Sequence, residues 1–78
     1  MSPFVLEIPK HATGRLKIRK ISRDLVRRCI TRGLLIDVRK NGRQVRQLRV
    51  GNRVLEVIYR NRSGGFILVS CYWKGEYP

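Results

Sequence analysis

Apolar residues recur at helical spacing in the first half of this chain and at closer, strand-like spacing in the second half. The clearest helix spans residues 23–32, where four apolar residues share one face: Leu25, Val26, Cys29 and Ile30. Ser22 is a favourable N-cap for this helix, and Ile21 can pack over its first turn. Gly33 offers the C-terminal stop. A second helix from residue 23 to residue 32 is therefore predicted.

The segment before this helix predicts two shorter elements. Residues 4–8 form an apolar run that ends at Pro9, which is typical of a short strand. Residues 10–19 predict the first helix, in which Gly14 costs about 1 kcal/mol relative to alanine.

The second half predicts four strands that are joined by short turns. Asn41-Gly42 and Gly51-Asn52 are hairpin signals, and residues 61–65 indicate a looser turn. The predicted strands cover residues 34–38, 44–50, 54–59 and 66–73. Because the last two are nearly continuous apolar runs, they are expected in the centre of the sheet.

These elements predict one α+β domain over residues 1–78. Two N-terminal helices are expected to pack on a four-stranded antiparallel meander, with residues 4–8 as a possible fifth strand. No internal repeat or linker divides the chain.

The net charge of the chain indicates a binding partner. Lys+Arg total 18 against 5 for Asp+Glu, a formal net charge of +13. Most of these cations are arginines, which bind phosphate in bidentate fashion and stack on bases. Such an excess predicts a nucleic-acid partner, most naturally RNA. A solvated surface and an anionic membrane surface are the alternatives, and no basic helix with a broad apolar face favours the membrane.

The remaining composition limits the chemistry. The two cysteines, Cys29 and Cys71, lie in apolar runs and are expected to be buried thiols, although a disulfide is also possible. With His11 as the sole histidine, no metal site and no cofactor are predicted. No run approaches the roughly 20 apolar residues of a membrane span. A cytoplasmic location is expected, in the producing cell or in a target cell after delivery.

His11, Arg15 and Arg19 are the leading candidates for catalysis. At i, i+4 and i+8 they share one helix face. RNA carries its own nucleophile, the 2′-hydroxyl, so its cleavage needs no metal but does need a base, an acid and cations for the phosphorane. Histidine titrates in the useful range. The alternative is that His11 is a bystander or a phosphate contact.

Further candidates lie on the predicted sheet. Tyr59, Ser70 and Tyr72 are possible catalytic donors, whereas amphipathic packing is the alternative for both tyrosines. Trp73 is a base-stacking residue or, more simply, a lid on the core. Glu56 is a general base or a salt-bridge partner of arginines. The expected RNA-binding cations are Lys17, Lys20, Arg43, Arg46, Arg49 and Arg53.

The run His11-Ala12-x-x-Arg15-x-x-x-Arg19-x-Ile21-Ser22 resembles the signature of a small bacterial domain family of unknown function. The glycine that this family has before the isoleucine is Lys20 in this chain, and Gly14 within the first helix is also unusual for the family. Further matches cover nearly the whole chain: Arg43 after the Asn-Gly turn, Val57-Ile58-Tyr59 and Ile67-Leu68-Val69-Ser70.

That family is similar in layout to the BrnT and RelE/ParE toxins, within a group that also contains barnase, EndoU and the colicin ribonuclease domains. The resemblance implies a RelE/barnase-like fold and a metal-independent endoribonuclease toxin. His11 would be its acid/base and the arginines Arg15 and Arg19 its phosphate clamps. It also implies an acidic antitoxin or immunity protein as a partner.

The target RNA stays open among transfer, messenger and ribosomal RNA. A non-catalytic RNA- or DNA-binding module and a protein-interaction domain with an acidic partner are the competing functions.

Overall fold

A computed structural model of the chain describes residues 4–75 as two helices and a five-stranded sheet. The predicted bounds of the second helix and of the strand after it are confirmed. In chain order the elements are β1 (Val5–Glu7), α1 (Lys10–Ile18), α2 (Arg23–Arg32), β2 (Leu34–Val38), β3 (Arg43–Val50), β4 (Arg53–Arg62) and β5 (Gly65–Trp73).

The predicted loose turn at residues 61–65 is wrong. β4 extends to Arg62, which pairs with Gly65 at the start of β5, so that Ser63 and Gly64 alone form the turn. Gly64 has a φ of +80°. Glycine adopts a positive φ at a turn position without steric cost.

The strand order is β1-β5-β4-β3-β2. Strands β2 to β5 form the predicted antiparallel meander, but β1 pairs with β5 in parallel, so the prediction of a wholly antiparallel sheet is wrong. At this junction a Cβ on Gly65 would lie 2.0 Å from the Val5 carbonyl oxygen. A glycine at residue 65 therefore allows β1 to approach β5.

Two arginines of α2 hold β1 in place. Arg23 donates to the Leu6 carbonyl oxygen at 2.6 Å, and Arg27 donates to that of Phe4 at 2.9 Å. The Arg27 guanidinium also lies 4.9 Å from the centroid of the Phe4 ring. Because the two arginines are one helical turn apart, they bind two carbonyl groups of one strand. The sequence pattern gave no hint that these cations have a structural role.

The ends of α2 follow the predicted chemistry. The Leu25 N–H donates to Ser22 Oγ at 3.1 Å, which satisfies one free donor of the first turn. At the other end a Cβ on Gly33 would lie 2.3 Å from the Cys29 carbonyl oxygen and 2.9 Å from that of Gln47. The close approach of the last turn of α2 and of β3 thus requires glycine at residue 33.

The core lies between the helices and one face of the sheet. Strand alternation places Val45, Glu56 and Ile58 on the other face of the sheet, where their side chains are also buried. Within residues 4–75, neither helix is long and apolar enough to cross a membrane. The helix-side core comprises Leu6, Ala12, Leu16, Ile21, Val26, Cys29, Ile30, Leu55, Val57, Tyr59, Leu68, Cys71 and Trp73.

Candidate active site

α1 lies against the part of β5 that β1 leaves uncovered. β1 pairs with β5 only as far as Ile67. Beyond it, Arg19 Nη1 donates to the Cys71 carbonyl oxygen at 2.8 Å, and Trp73 Nε1 donates to the Arg19 carbonyl oxygen at 2.8 Å. These two hydrogen bonds fix the C-terminal end of α1 beside the end of β5.

A Schellman motif ends α1 and sets the direction of Arg19. The Ile21 N–H donates to the Leu16 carbonyl oxygen at 2.9 Å, and the Lys20 N–H donates to that of Lys17 at 3.2 Å. The side chains of Leu16 and Ile21 are both buried, which is the apolar contact that accompanies this motif. Lys20 has a φ of 55°, the backbone conformation that favours glycine.

Between α1 and β5 lies a small pocket that contains four of the six predicted catalytic residues. The predicted i, i+4, i+8 face of α1 forms one wall, and the edge of β5 forms the other. His11 and Arg15 are exposed, and Arg19 is half-buried. The lining residues are His11, Ala12, Arg15 and Arg19 from α1 and Val69, Ser70 and Cys71 from β5.

A β-bulge in β5 shapes the second wall. Ile58 pairs with Ser70 and Tyr59 pairs with Leu68, so that Val69 has no partner across the strand pair. A bulge bends its strand and redirects the neighbouring side chains. Sequence reasoning missed Val69 because a valine in an apolar run carries no signal of a bulge.

The two predicted catalytic tyrosines lie elsewhere. Tyr59 is 1% exposed in the helix-side core, where its hydroxyl accepts a hydrogen bond from Arg46 Nε at 2.7 Å. Its ring meets Phe66 edge to face at a centroid distance of 5.2 Å. The hydroxyl of Tyr72 donates to Glu56 on the opposite face of the sheet. The structure therefore does not bring either tyrosine to the pocket.

Glu56 belongs to a polar network on the sheet face away from the helices. It is 8% exposed and accepts hydrogen bonds from Tyr72 and from Gln47, the latter at 2.8 Å. Burial acts to raise the pKa of the Glu56 carboxyl, but these two hydrogen bonds and the charges of Lys74 and Arg39 together hold that pKa below its usual value. The carboxylate is thus satisfied within the fold.

Of the six predicted RNA-binding cations, one is used within the fold and five are exposed or half-buried. Arg46 is engaged internally, because Nη1 donates to the Gly33 carbonyl oxygen at 2.8 Å while Nε donates to Tyr59. The expectation that Arg46 presents its guanidinium to RNA therefore needs correction. Arg53 is exposed and lies 3.9 Å from the centroid of the Trp73 ring. Lys17, Lys20 and Arg49 are exposed, and Arg43 is half-buried.

The thiols are not available as nucleophiles. Both cysteines are free and buried, as predicted. Burial raises the pKa of the Cys29 thiol to about 12 and that of the Cys71 thiol to about 11. Although Cys71 lines the pocket, a thiol with so high a pKa is protonated at neutral pH.

Within the described part of the chain, no cluster of three His, Cys, Asp or Glu side chains could hold a metal ion. Comparison of the sequence and the structure with family models, curated proteins and solved structures finds no match. The chemistry of the pocket must therefore be inferred from its own residues.

Proposed function

We propose that this domain is a metal-independent endoribonuclease that cleaves RNA in the pocket between α1 and β5. The observation that supports this most is that His11, Arg15, Arg19 and Ser70 line one pocket. An imidazole thereby lies in one pocket with two guanidinium groups. A general base and cations for the phosphorane are groups that a 2′-hydroxyl attack on phosphorus requires.

In the proposed reaction His11 acts as the general base. It takes the proton of the 2′-hydroxyl while the O2′–P bond forms and the P–O5′ bond breaks. Water protonates the leaving 5′-oxygen, and the hydroxide that remains takes the proton back from His11. The products are a 2′,3′-cyclic phosphate and a 5′-hydroxyl, so no metal, oxidant or second substrate is consumed.

The arginines are proposed to stabilise the phosphorane. Arg15 is exposed on the helix face and can bind a nonbridging oxygen of the phosphate. Arg19 is anchored by its Nη1 to the Cys71 carbonyl oxygen, so that its charge is held in position before substrate arrives. Preorganised charge of this kind stabilises a transition state more than the ground state.

The basic surface is proposed to hold the RNA. The net charge of +13 and the exposed cations on α1, among them Lys17, favour binding to phosphates. Neutralising phosphates releases counterions, so affinity is expected to fall steeply as salt rises.

The RelE/barnase-like fold and the role of a toxin extend this proposal. The order of one strand, two helices and a four-stranded antiparallel meander agrees with the layout that the resemblance implies. An acidic antitoxin or immunity protein would mask so positive a surface in the cytoplasm. These parts of the proposal rest on the resemblance and on charge.

One observation favours a second candidate, a non-catalytic RNA- or DNA-binding module. Among the residues that line the pocket, His11 is the only histidine, and part of the Arg19 guanidinium is already used by the fold. A binding module would use the same cations without a proton transfer.

Expression in a bacterial host distinguishes the two. We expect the wild-type domain to arrest growth and fragment total RNA, and the His11→Ala variant to be tolerated at equal expression. Lys10→Ala, which changes the neighbouring exposed cation on α1, is the matched control and should remain toxic. If the wild-type domain leaves RNA intact, the ribonuclease proposal fails.

A further inference from the structure

Strand β2 is an apolar strand that the fold leaves uncovered. All five of its residues are exposed, and four of them are large and apolar. Leu34 is 71% exposed and Val38 is 60% exposed. Elsewhere in residues 4–75, the large apolar residues that are similarly exposed are Val5 and Ile18, which belong to two different elements, β1 and α1. A contiguous exposed apolar strand is typical of an interaction surface.

β2 is also an edge strand. It is last in the sheet order and pairs with β3 on one side, and no other described strand pairs with its second side. Alternate backbone N–H and C=O groups of such a strand point outward and can pair with another extended chain. Edge strands of natural proteins usually carry charges that prevent this pairing, whereas β2 has Asp37 alone.

The register shows what a partner strand would meet. Leu35 pairs with Arg46 and Val38 pairs with Gln44, so both apolar side chains lie on the helix side of the sheet. The register shifts at Ile36, where a bulge interrupts the ladder. A partner would thus add a short ladder, and apolar contacts on the helix side would supply much of the affinity.

The charges at the ends of β2 indicate the chemistry of the partner. Exposed Arg32 precedes the strand, and exposed Arg39 and Lys40 follow it, with Arg39 Nε 3.7 Å from Asp37 Oδ2. A second copy of this chain would bring basic ends against basic ends in either strand direction. RNA would leave the apolar side chains unmatched. A segment that is acidic at its ends and apolar on one face matches both features.

We propose that β2 binds an extended acidic segment of a partner protein, which adds to the sheet as a sixth strand. This surface lies at the opposite edge of the sheet from the pocket between α1 and β5. The inference is independent of the proposed RNA cleavage, so that the absence of cleavage would not contradict it.

The test uses the full chain and a synthetic capped heptapeptide that alternates glutamate with valine. The control peptide has proline at its central valine, which cannot donate a ladder hydrogen bond. Val38→Glu is the edge variant. Ile18→Glu, at a residue that is 80% exposed on α1, makes the same change of charge and polarity away from β2. Binding is measured by fluorescence anisotropy, and hydrogen exchange locates the protected amides.

We expect the alternating peptide to slow amide exchange in β2. The proline peptide should bind about tenfold more weakly because it lacks one ladder hydrogen bond. Val38→Glu should weaken binding of the alternating peptide by a similar factor because it removes an apolar contact. Ile18→Glu should bind nearly as the wild type does. RNA cleavage by Val38→Glu, measured in parallel, should be unchanged.

Four results would overturn the proposal. The first is the absence of protection in β2, and the second is equal binding of the two peptides. A third is that the chain alone forms a dimer and that Val38→Glu makes it monomeric, which would identify a second copy as the occupant of β2. The last is a loss of RNA binding in Val38→Glu and not in Ile18→Glu, which would assign the edge to RNA.

Discussion

The indole N–H of Trp73 donates to the carbonyl oxygen of Arg19 at 2.8 Å, so the last residue of β5 holds the C-terminal end of α1. The same arginine returns a hydrogen bond to the Cys71 carbonyl oxygen through its side chain. These two hydrogen bonds hold the end of α1 against the end of β5, and these two elements are the walls of the pocket. Trp73 is thus a core lid, as one of the sequence-based alternatives had it, and its polar end also positions the candidate site.

Replacing Trp73 with phenylalanine removes the indole donor and leaves the Arg19 carbonyl group without this partner. We expect a loss of about 1–3 kcal/mol in the free energy of unfolding, from the hydrogen bond and the lost ring volume together. Urea unfolding measures it. Amide exchange should quicken at the end of α1 more than in α2. Uniform quickening across both helices would contradict the proposed positioning role of Trp73.

Lys20→Gly is expected to stabilise the protein. Lys20 occupies the left-handed conformation at the end of α1. Glycine avoids a steric cost of about 1–2 kcal/mol there, and its greater freedom in the unfolded chain offsets about 0.5–1 kcal/mol of that gain. Lys17→Gly is the matched control. It also removes one exposed cation of α1 but should destabilise by close to 1 kcal/mol, because it lies within the helix. Thermal unfolding of both variants shows whether each substitution raises or lowers the stability of the protein.

The buried thiols predict a loss of stability at high pH. The ordinary thiol pKa is 9.0, whereas Cys71 in the folded chain titrates at about 11 and Cys29 at about 12. Above pH 9 the unfolded chain releases these protons and the folded chain keeps them, so the free energy of unfolding falls as pH rises. Cys71→Ala should show a shallower fall between about pH 9 and pH 11. An unchanged slope, or rapid labelling of native thiols by a disulfide reagent at neutral pH, would argue against this burial.

Glu56 predicts the opposite dependence in acid. Its folded pKa lies below the ordinary value of 4.5, so its contribution to stability is present above that pH and is lost as pH falls through the folded pKa. Glu56→Gln should therefore be less stable than the wild type at pH 7 and should lose less stability on acidification. Tyr72→Phe removes one hydrogen bond to the carboxylate and should move the acid loss to higher pH. Unfolding curves across the acid range check both variants.

Local chemistry in the sequence predicted much of the fold. The N-cap at Ser22 and the Asn41-Gly42 turn needed only neighbouring residues, and the bounds of α2 and β2 followed from them. The parallel pairing of β1 was missed because strand direction depends on distant contacts, here the approach of Val5 to Gly65. A strand pattern also does not reveal that β2 lies at an edge with both faces exposed.

The candidate site was predicted in part for a similar reason. Helical spacing alone placed His11, Arg15 and Arg19 on one face. It could not show that Arg19 and Arg46 use side-chain donors on backbone carbonyl groups, since those partners lie far away in sequence. Nor could it show that Tyr59 points into the core, because alternation along β4 separates two faces without showing which of them the helices cover.

Cleavage of a purified RNA oligonucleotide by the isolated domain, in the presence of a chelator, tests the central claim most directly. We expect fragments that end in a 2′,3′-cyclic phosphate, and no cleavage where the nucleotide before the scissile phosphate carries a 2′-deoxyribose. His11→Ala should lower the cleavage rate by about 100-fold or more. Its RNA affinity, measured by anisotropy at the same salt concentration, should remain close to that of the wild type. Equal cleavage by His11→Ala, or intact RNA at saturating wild-type protein, would contradict the account.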